Sequence, residues 1–441
     1  MSLGLGNSIS QGSVIGFPDN HRVNFDGTDA YLRVGGDFVL HGGHDWALGL
    51  WWIFDTIHTA SGYGNSLISS IEQGNAYGYG QLAFRANGRS YPRLKGDGTP
   101  NWALDPGADT GWTASAGVWY HSVYVFEHGV GLKVYVNGSL TDTYNFTDAL
   151  DADYYNWDTI GAGGPTPVYT DYQMSEMAFW SGALLSADDI SKIYNAGRGV
   201  DLKVASSYDT DRTSELSRWY RFGDGTLDSM PTLDGTNIVG VGLVADQVNP
   251  TLGSELWDTD AAAFTIGGTY PVDAENTHSR GDGAGTKGAN TYSWVTSADT
   301  TISNDSNSLK VVSDGGSEGF ANTYLRDNHD MSANVLANKI YRISMDVKID
   351  SGTGTIQIYN NISDDFSSAT TNYQFTNTSY QTLVLYARIA NSASGQNYIQ
   401  IKVPDGKTIH VDNMSIKNVL GSPAATLNMA ADDFKVGGAG S

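Results

Sequence analysis

From Val118 to Phe126 nearly every residue is aromatic or β-branched, the make-up of a strand buried within a sheet. Lys133 to Val136 then alternates polar and apolar, and Asn137-Gly138 supplies the positive φ angles of a tight hairpin turn. Met174 to Trp180 reads as another buried strand that runs into a helix of about two to three turns. Ser186 is its expected N-cap, with Asp189 three residues on as a variant capping box. Ile190, Ile193 and Tyr194 share one face of that helix, and Gly197 is placed to stop it. Further along, Ile340 to Ile349 alternates for its whole length, the mark of a half-buried strand. Ile356–Tyr359, Gln381–Ile389, Tyr398–Val403 and His410–Ile416 repeat that reading between turn-rich Ser, Asn, Gly and Asp segments.

The front segments also appear in a familiar order. Val23-Asn24-Phe25-Asp26-Gly27-Thr28-Asp29-Ala30-Tyr31-Leu32-Arg33-Val34 opens the series. Trp119, His121 and Val123, the Val-Tyr-Val-Asn-Gly hairpin and the Leu-Ser helix follow. Together they resemble laminin-G-like, concanavalin A-like jelly rolls over residues 14–203. At the rear, Ile340–Val347, the Leu-Val-Leu-Tyr-Ala-Arg strand and the closing Val411-Asp412-Asn413-Met414-Ser415-Ile416 resemble carbohydrate-binding jelly rolls of families 4 and 9. The expected fold is therefore all-β: two jelly-roll β-sandwiches, one short helix closing the first, and Gly/Ser-rich terminal arms. The boundaries are an arm at 1–13, a first jelly roll at 14–203, a connecting strand and loop at 204–253, a second jelly roll at 254–420, and a disordered tail at 421–441. Trp219, Tyr220 and Phe222 argue that the connecting segment packs on a domain, since they are costly to leave in water.

Composition narrows the function. The 441 residues hold 53 glycines, a profile of many short strands and turns. A net charge of −23 repels phosphate backbones and anionic membranes, which argues against nucleic-acid binding. No apolar run is long enough to span a membrane. Cysteine is absent, and Met-Ser-Leu-Gly-Leu-Gly lacks the pattern of a secretory signal, so an adhesive β module here is expected to leave the cell by lysis.

Candidate chemistry favours recognition over catalysis. The glutamates are Glu72, Glu127, Glu176, Glu215, Glu255, Glu275 and Glu318, and no two are close enough to form the paired carboxylates of a jelly-roll glycosidase. There is no thiol and no nucleophile elbow, and the Gly-x-Gly patterns do not join a strand to a helix. His121 reads as a core histidine, and His41-Gly-Gly-His44-Asp45 as a Gly-rich turn. Sugar faces stack on aromatic rings, so Tyr63, Tyr77, Tyr79, Tyr91 and Trp102 in front loops, and Tyr292, Trp294, Tyr359 and Tyr373 behind, are the glycan-binding candidates. Each alone reads as core or interface; the set gives the expectation.

Asp148, Asp151 and Asp153 offer hard oxygen ligands suited to calcium on an acidic loop, without the rest of a calcium-binding loop motif. The jelly-roll resemblance carries the suggestion of a structural calcium to Asp412; no other cofactor is expected. The reading is a non-enzymatic virion protein of a tailed bacteriophage, a capsid decoration or fibre protein. Its expected partners are capsid or tail proteins, copies of itself as a trimer, and cell-surface glycans. Two other classes stay open, a secreted bacterial polysaccharide-binding adhesin and a jelly-roll polysaccharide-degrading enzyme.

Overall fold

The computed structural model describes residues 21–34, 44–58, 65–69, 81–95, 102–105, 111–147, 159–163, 168–195, 199–222, 232–234, 237–239, 243–244, 246–248, 250–256, 295–297, 299–305, 308–314, 316–325, 335–336, 339–359, 370–389, 398–421, 424–427 and 434–436. Strands are numbered along the chain. Sheet one runs, in spatial order, β10 (Ser139–Asn145), β9 (Gly131–Val136), β8 (Tyr120–Glu127), β3 (Trp46–Phe54), β14 (Asp171–Ser181), β1 (His21–Asp26) and β31 (Phe434–Val436). A further strand, β15 (Leu216–Tyr220), also pairs with β14. Sheet two runs β18 (Leu243–Val244), β30 (Ala424–Leu427), β2 (Tyr31–Val34), β11 (Thr159–Ile160), β4 (Ser66–Ser69), β5 (Gln81–Phe84), β6 (Ser90–Lys95) and β7 (Trp102–Leu104). Small hairpins are formed by β12 (Ala162–Gly163) with β13 (Val168–Tyr169), and by β16 (Thr232–Asp234) with β17 (Asn237–Val239).

Alternating side chains of sheets one and two close on one core, where Trp52, Phe54, Phe84, Trp112 and Tyr120 meet edge to face or tilted. Trp52 Nε1 donates to Ser122 Oγ (3.0 Å), so the buried indole keeps its partner. Asn137 (φ 49°) and Gly138 (φ 79°) make the left-handed turn between β9 and β10.

The opposite face of sheet one is also apolar. Ala47, Val123, Ala178 and Trp180 pack there beneath the helix α1 (Ala187–Tyr194) and the segment carrying Leu202, Tyr208 and Leu216. The capping box is complete: Asp189 N–H donates to Ser186 Oγ, and Ser186 N–H donates to Asp189 Oδ2 (both 3.0 Å). The helix ends at Asn195 (φ 45°) rather than at Gly197, because asparagine tolerates the left-handed cap. Asp189 does more than cap. Its Oδ1 accepts from the N–H groups of Asp209 (2.8 Å) and Thr210 (2.9 Å), and Arg212 Nε lies 3.5 Å from its Oδ2.

The second sandwich pairs sheet three with sheet four. Sheet three is β21 (Thr300–Asp305), β22 (Ser308–Ser313), β29 (Thr408–Val419), β24 (Ile340–Ile349) and β27 (Gln381–Arg388), with β19 (Leu252–Glu255) on β29. Sheet four is β20 (Val295–Thr296), β23 (Gly319–Tyr324), β28 (Tyr398–Val403), β25 (Gly354–Tyr359) and β26 (Thr370–Phe375). Ile343, Val347, Ile356, Ile358, Ile399, Ile401 and Val411 are among the fully buried residues between them. Among the described residues no helix is long and apolar enough to cross a membrane.

Part of the tail expected to be disordered at 421–441 is corrected: Ala424–Leu427 form β30, paired with both β2 and β18, and Phe434–Val436 form β31, paired with β1. Strands of four and three residues carry little pattern of their own, and pairing with an existing sheet stabilises them. The second sandwich is thus nested in the sequence of the first. Its two connections run side by side: Leu252 pairs with Val419, and Leu420 N–H donates to Thr251 O (2.9 Å).

Removing residues 422–441 will destabilise the first sandwich by at least ~2 kcal/mol, a fall of about 4–8 °C for a domain of this size. Calorimetry should show that the second sandwich's transition is unmoved. Burial pushes the Asp189 carboxyl up, but the donors from Thr210, Ser186 and Asp209 outweigh it and hold it below its ordinary value. A depressed carboxyl stabilises the fold above the unfolded value, 3.8, and loses that contribution as pH falls through the folded value. Asp189→Asn should cost ~2–4 kcal/mol near neutral pH, and urea titrations should show the gap to the unmutated protein closing as pH falls below the unfolded value, 3.8.

Candidate functional site

Two rows of like residues cross sheet four in register. Asn322 lies opposite Gln400, Gln400 opposite Gln357, and Gln357 opposite Asn372, an amide on each of four neighbouring strands. Tyr324 lies opposite Tyr398, Tyr398 opposite Tyr359, and Tyr359 opposite Thr370. Directly paired residues share a face, and the alternate positions Ala321, Ile356, Ile358, Ile399 and Ile401 fill the core. Asn322, Gln400, Gln357 and Tyr398 therefore stand on the side away from the core.

The site is shielded and uncharged. Tyr398, Gln400 and Gln357 are each 6% exposed, and Gln400 Nε2 donates to Asn322 Oδ1 (2.8 Å). An amide offers a donor and an acceptor together, and a tyrosine ring offers an apolar face with a polar tip. Lys402, one step along β28, is occupied by Glu318 (3.5 Å).

Of the aromatic candidates, Tyr359 falls in the tyrosine row. Tyr373 is corrected: it is buried in the core of the second sandwich, opposite Ile356, because the phase of β26 turns it inward. Tyr91 and Trp102 lie in strands β6 and β7 rather than in loops, with Trp102 opposite Lys95. Tyr91 is buried under the Arg85 guanidinium, 3.8 Å from the ring centroid, and its hydroxyl donates to Asp105. Burial, then the Asp105 carboxylate, pushes that phenol up to about 12, so it stays protonated. Tyr63, Tyr77, Tyr79, Tyr292 and Trp294 lie outside the described residues.

Asp148, Asp151 and Asp153 also lie outside the described residues. Asp412 pairs in register with Asp346 at a bulge where Asn413 adopts φ 49°. Asn413 Nδ2 donates to Asp346 Oδ2, and Asn413 N–H to Asp412 Oδ1 (both 2.7 Å). Among the described residues no group of three or more ligating side chains forms a metal site.

Every described glutamate faces a cation: Glu127 with Lys133, Glu176 with Arg221, Glu215 with Arg212, Glu255 with Lys417 and Glu318 with Lys402. His121 is buried beside the Trp51 and Tyr194 rings, with centroids at 4.7 and 6.0 Å, and burial pushes it down to about 3. It is neutral at physiological pH. Asp45 locks its turn, accepting from the N–H groups of His128 (2.9 Å) and, through its carbonyl, Gly182 (2.8 Å).

The two rows were not found from sequence, because strand register is non-local. A local trace was there: Asn322-Thr-Tyr324, Gln357-Ile-Tyr359 and Tyr398-Ile-Gln400 each set an amide and a tyrosine two residues apart.

Residues 26–191 match the laminin G-like family model of the concanavalin A-like lectin/glucanases superfamily, so the first sandwich carries a domain of that class. Among solved structures, a family 4 carbohydrate-binding module is 12% identical, with 29% of this chain and 94% of that one covered, at a TM-score of 0.23. A family 29 carbohydrate-binding module is 14% identical, with coverage of 31% and 79% and a TM-score of 0.21. A mutant Trypanosoma rangeli sialidase is 17% identical, with coverage of 34% and 23% and a TM-score of 0.26. No curated protein matches the chain.

Proposed function

We propose that this protein is a non-enzymatic glycan-binding protein of a virus particle, a capsid decoration or fibre protein of a tailed bacteriophage. Its second sandwich takes a neutral saccharide on the outer face of sheet four. The observation that carries the glycan reading is the coincidence, in register, of the amide row with the tyrosine row. Tyrosine faces stack on sugar rings, and neighbouring amides bond pairs of hydroxyls. The absence of charge in both rows favours a neutral ligand, since a charged one would be desolvated without a counter-charge.

Non-catalytic binding is supported by the glutamates, each held by a cation, and by the neutral, buried His121. The virion role rests on the cysteine-free, strongly acidic composition together with a lectin-class sandwich. Capsid or tail proteins and further copies of this chain are the partners it implies.

Affinity electrophoresis on a panel of neutral polysaccharides tests the site. Tyr398→Ala and Gln400→Ala should each weaken retention by about tenfold, ~1.4 kcal/mol, with the near-ultraviolet spectrum of the fold preserved. Undiminished retention in both variants would remove the site from sheet four. Pure protein should leave the viscosity of the retained polysaccharide unchanged. Quantitative mass spectrometry of purified particles should find a high, fixed copy number; absence from particles would end the virion role and leave a secreted binding protein.

A further inference from the structure

β27 (Gln381–Arg388) is the outermost strand of sheet three and pairs, among the described strands, with β24 alone. A strand so placed presents a line of backbone N–H and C=O groups along its other side, on which a further strand can build. The other described edges are protected. β7, β18, β20 and β31 hold two or three residues each, and β10 is broken by a bulge between Leu140 and Asp142. β17 lies against β26, and β21 shows polar Thr301 and Ser303 to solvent and ends on Asp305.

β27 has none of these protections. It pairs with β24 over its whole length without a bulge, and from Gln381 to Ala387 it holds no charge, proline or glycine. Thr382, Val384 and Tyr386 pair with Asp346, Ser344 and Arg342, while the alternate positions Ile343, Met345 and Val347 fill the core, so these three point away from it. Val384 is 41% exposed, and Tyr380, just before the strand, is 42% exposed. On the core side Leu383 is only partly buried. A long, regular, apolar edge in water is the arrangement that folded sheets otherwise avoid.

The chain's own charge narrows what can cover it. With a net charge of −23, two copies repel over most of their surface and approach where charge is absent. The uncharged run is also complementary to itself. Rotation about a twofold axis through Val384 lays Gln381–Ala387 antiparallel on the same run of a second copy. Val384 then meets Val384, Leu383 meets Leu385, Thr382 meets Tyr386, and Gln381 meets Ala387. The same rotation matches charge. Thr382 shares its outer row with Asp346 and Asp412, and Tyr386 shares its row with Arg342. The acidic row of each copy therefore continues into the Arg342 row of the other. The two β24 strands stand roughly 14 Å apart across such a seam, so these charges select the register more than they hold it.

We propose that β27 is a self-association seam: two copies of this chain join edge to edge and antiparallel through it, and sheet three runs on through both. A twofold seam of this kind makes a dimer. It lies on the sheet opposite sheet four, and it is independent of the glycan reading.

Sedimentation velocity of the full-length protein, over an about hundredfold range of concentration, should show a monomer–dimer equilibrium. Val384→Lys and Val384→Glu each set like charges face to face, and each should raise the dissociation constant by about tenfold or more. Circular dichroism should be unchanged, because Val384 is exposed. An equimolar mixture of the two variants should recover the dimer, since opposite charges then meet at the axis. Val130→Lys, at a position 45% exposed on the first sandwich, should leave the equilibrium as it was. Without any mutation, hydrogen exchange of the β27 amides should slow as the concentration of the unaltered protein rises. The proposal is overturned if the protein stays monomeric throughout, if the dimer survives both Val384 variants, if their mixture stays monomeric, or if the slowed amides lie elsewhere.

Discussion

Both sheets of the first sandwich depend on the end of the chain lying beside its beginning. β31 closes on β1 in sheet one, and β30 sits between β2 and β18 in sheet two. The same short return therefore extends two layers at once, so neither layer has its full set of strands until the chain has come back from the second sandwich. The entropic penalty of so long a detour grows only logarithmically with its length, and folding of the detour into its own core offsets it locally. The adjacent connections at Leu252–Val419 and Thr251–Leu420 turn the detour into an antiparallel stem. A domain carried on such a stem can be elaborated without disturbing the sheets that hold it.

A second constraint decides where recognition can occur on the first sandwich. Sheet one is apolar on both faces, so its outer side must be covered, and Asp189 organises the cover. One buried carboxylate holds the start of α1 and, through Asp209, Thr210 and Arg212, the segment that follows it. Four donors on one carboxylate are enough to offset its desolvation, which is why it remains ionised. The outer face of sheet two is closed as well: Ser69, Gln81 and Thr159 are fully buried there, and Ser69 Oγ donates to Ala162 O of the β12–β13 hairpin.

Features held in a few consecutive residues were legible in the sequence. The Ile340–Ile349 and Tyr398–Val403 strands, the Asn137-Gly138 turn and the Ser186–Asp189 cap all appear where local pattern places them. What failed was phase and partnership. Tyr373 was a glycan-binding candidate, but a strand's two-residue period sends it inward with Phe375. Asn195, not Gly197, ends the helix, since either residue type can adopt a left-handed cap. The terminal strands are too short to announce themselves, and their existence depends on β1 and β2, hundreds of residues away in sequence. The tyrosine and amide rows share that property: each strand holds one member, and only the register makes them a surface.

On the reading proposed for sheet four, discrimination comes as much from what a wrong ligand leaves unmatched as from what the right one gains. A carboxylate brought there would be stripped of water beside amides and a phenol that carry no positive charge, a penalty that neutral hydrogen bonds do not recover. A neutral sugar would meet donors and acceptors at once, because each amide offers both.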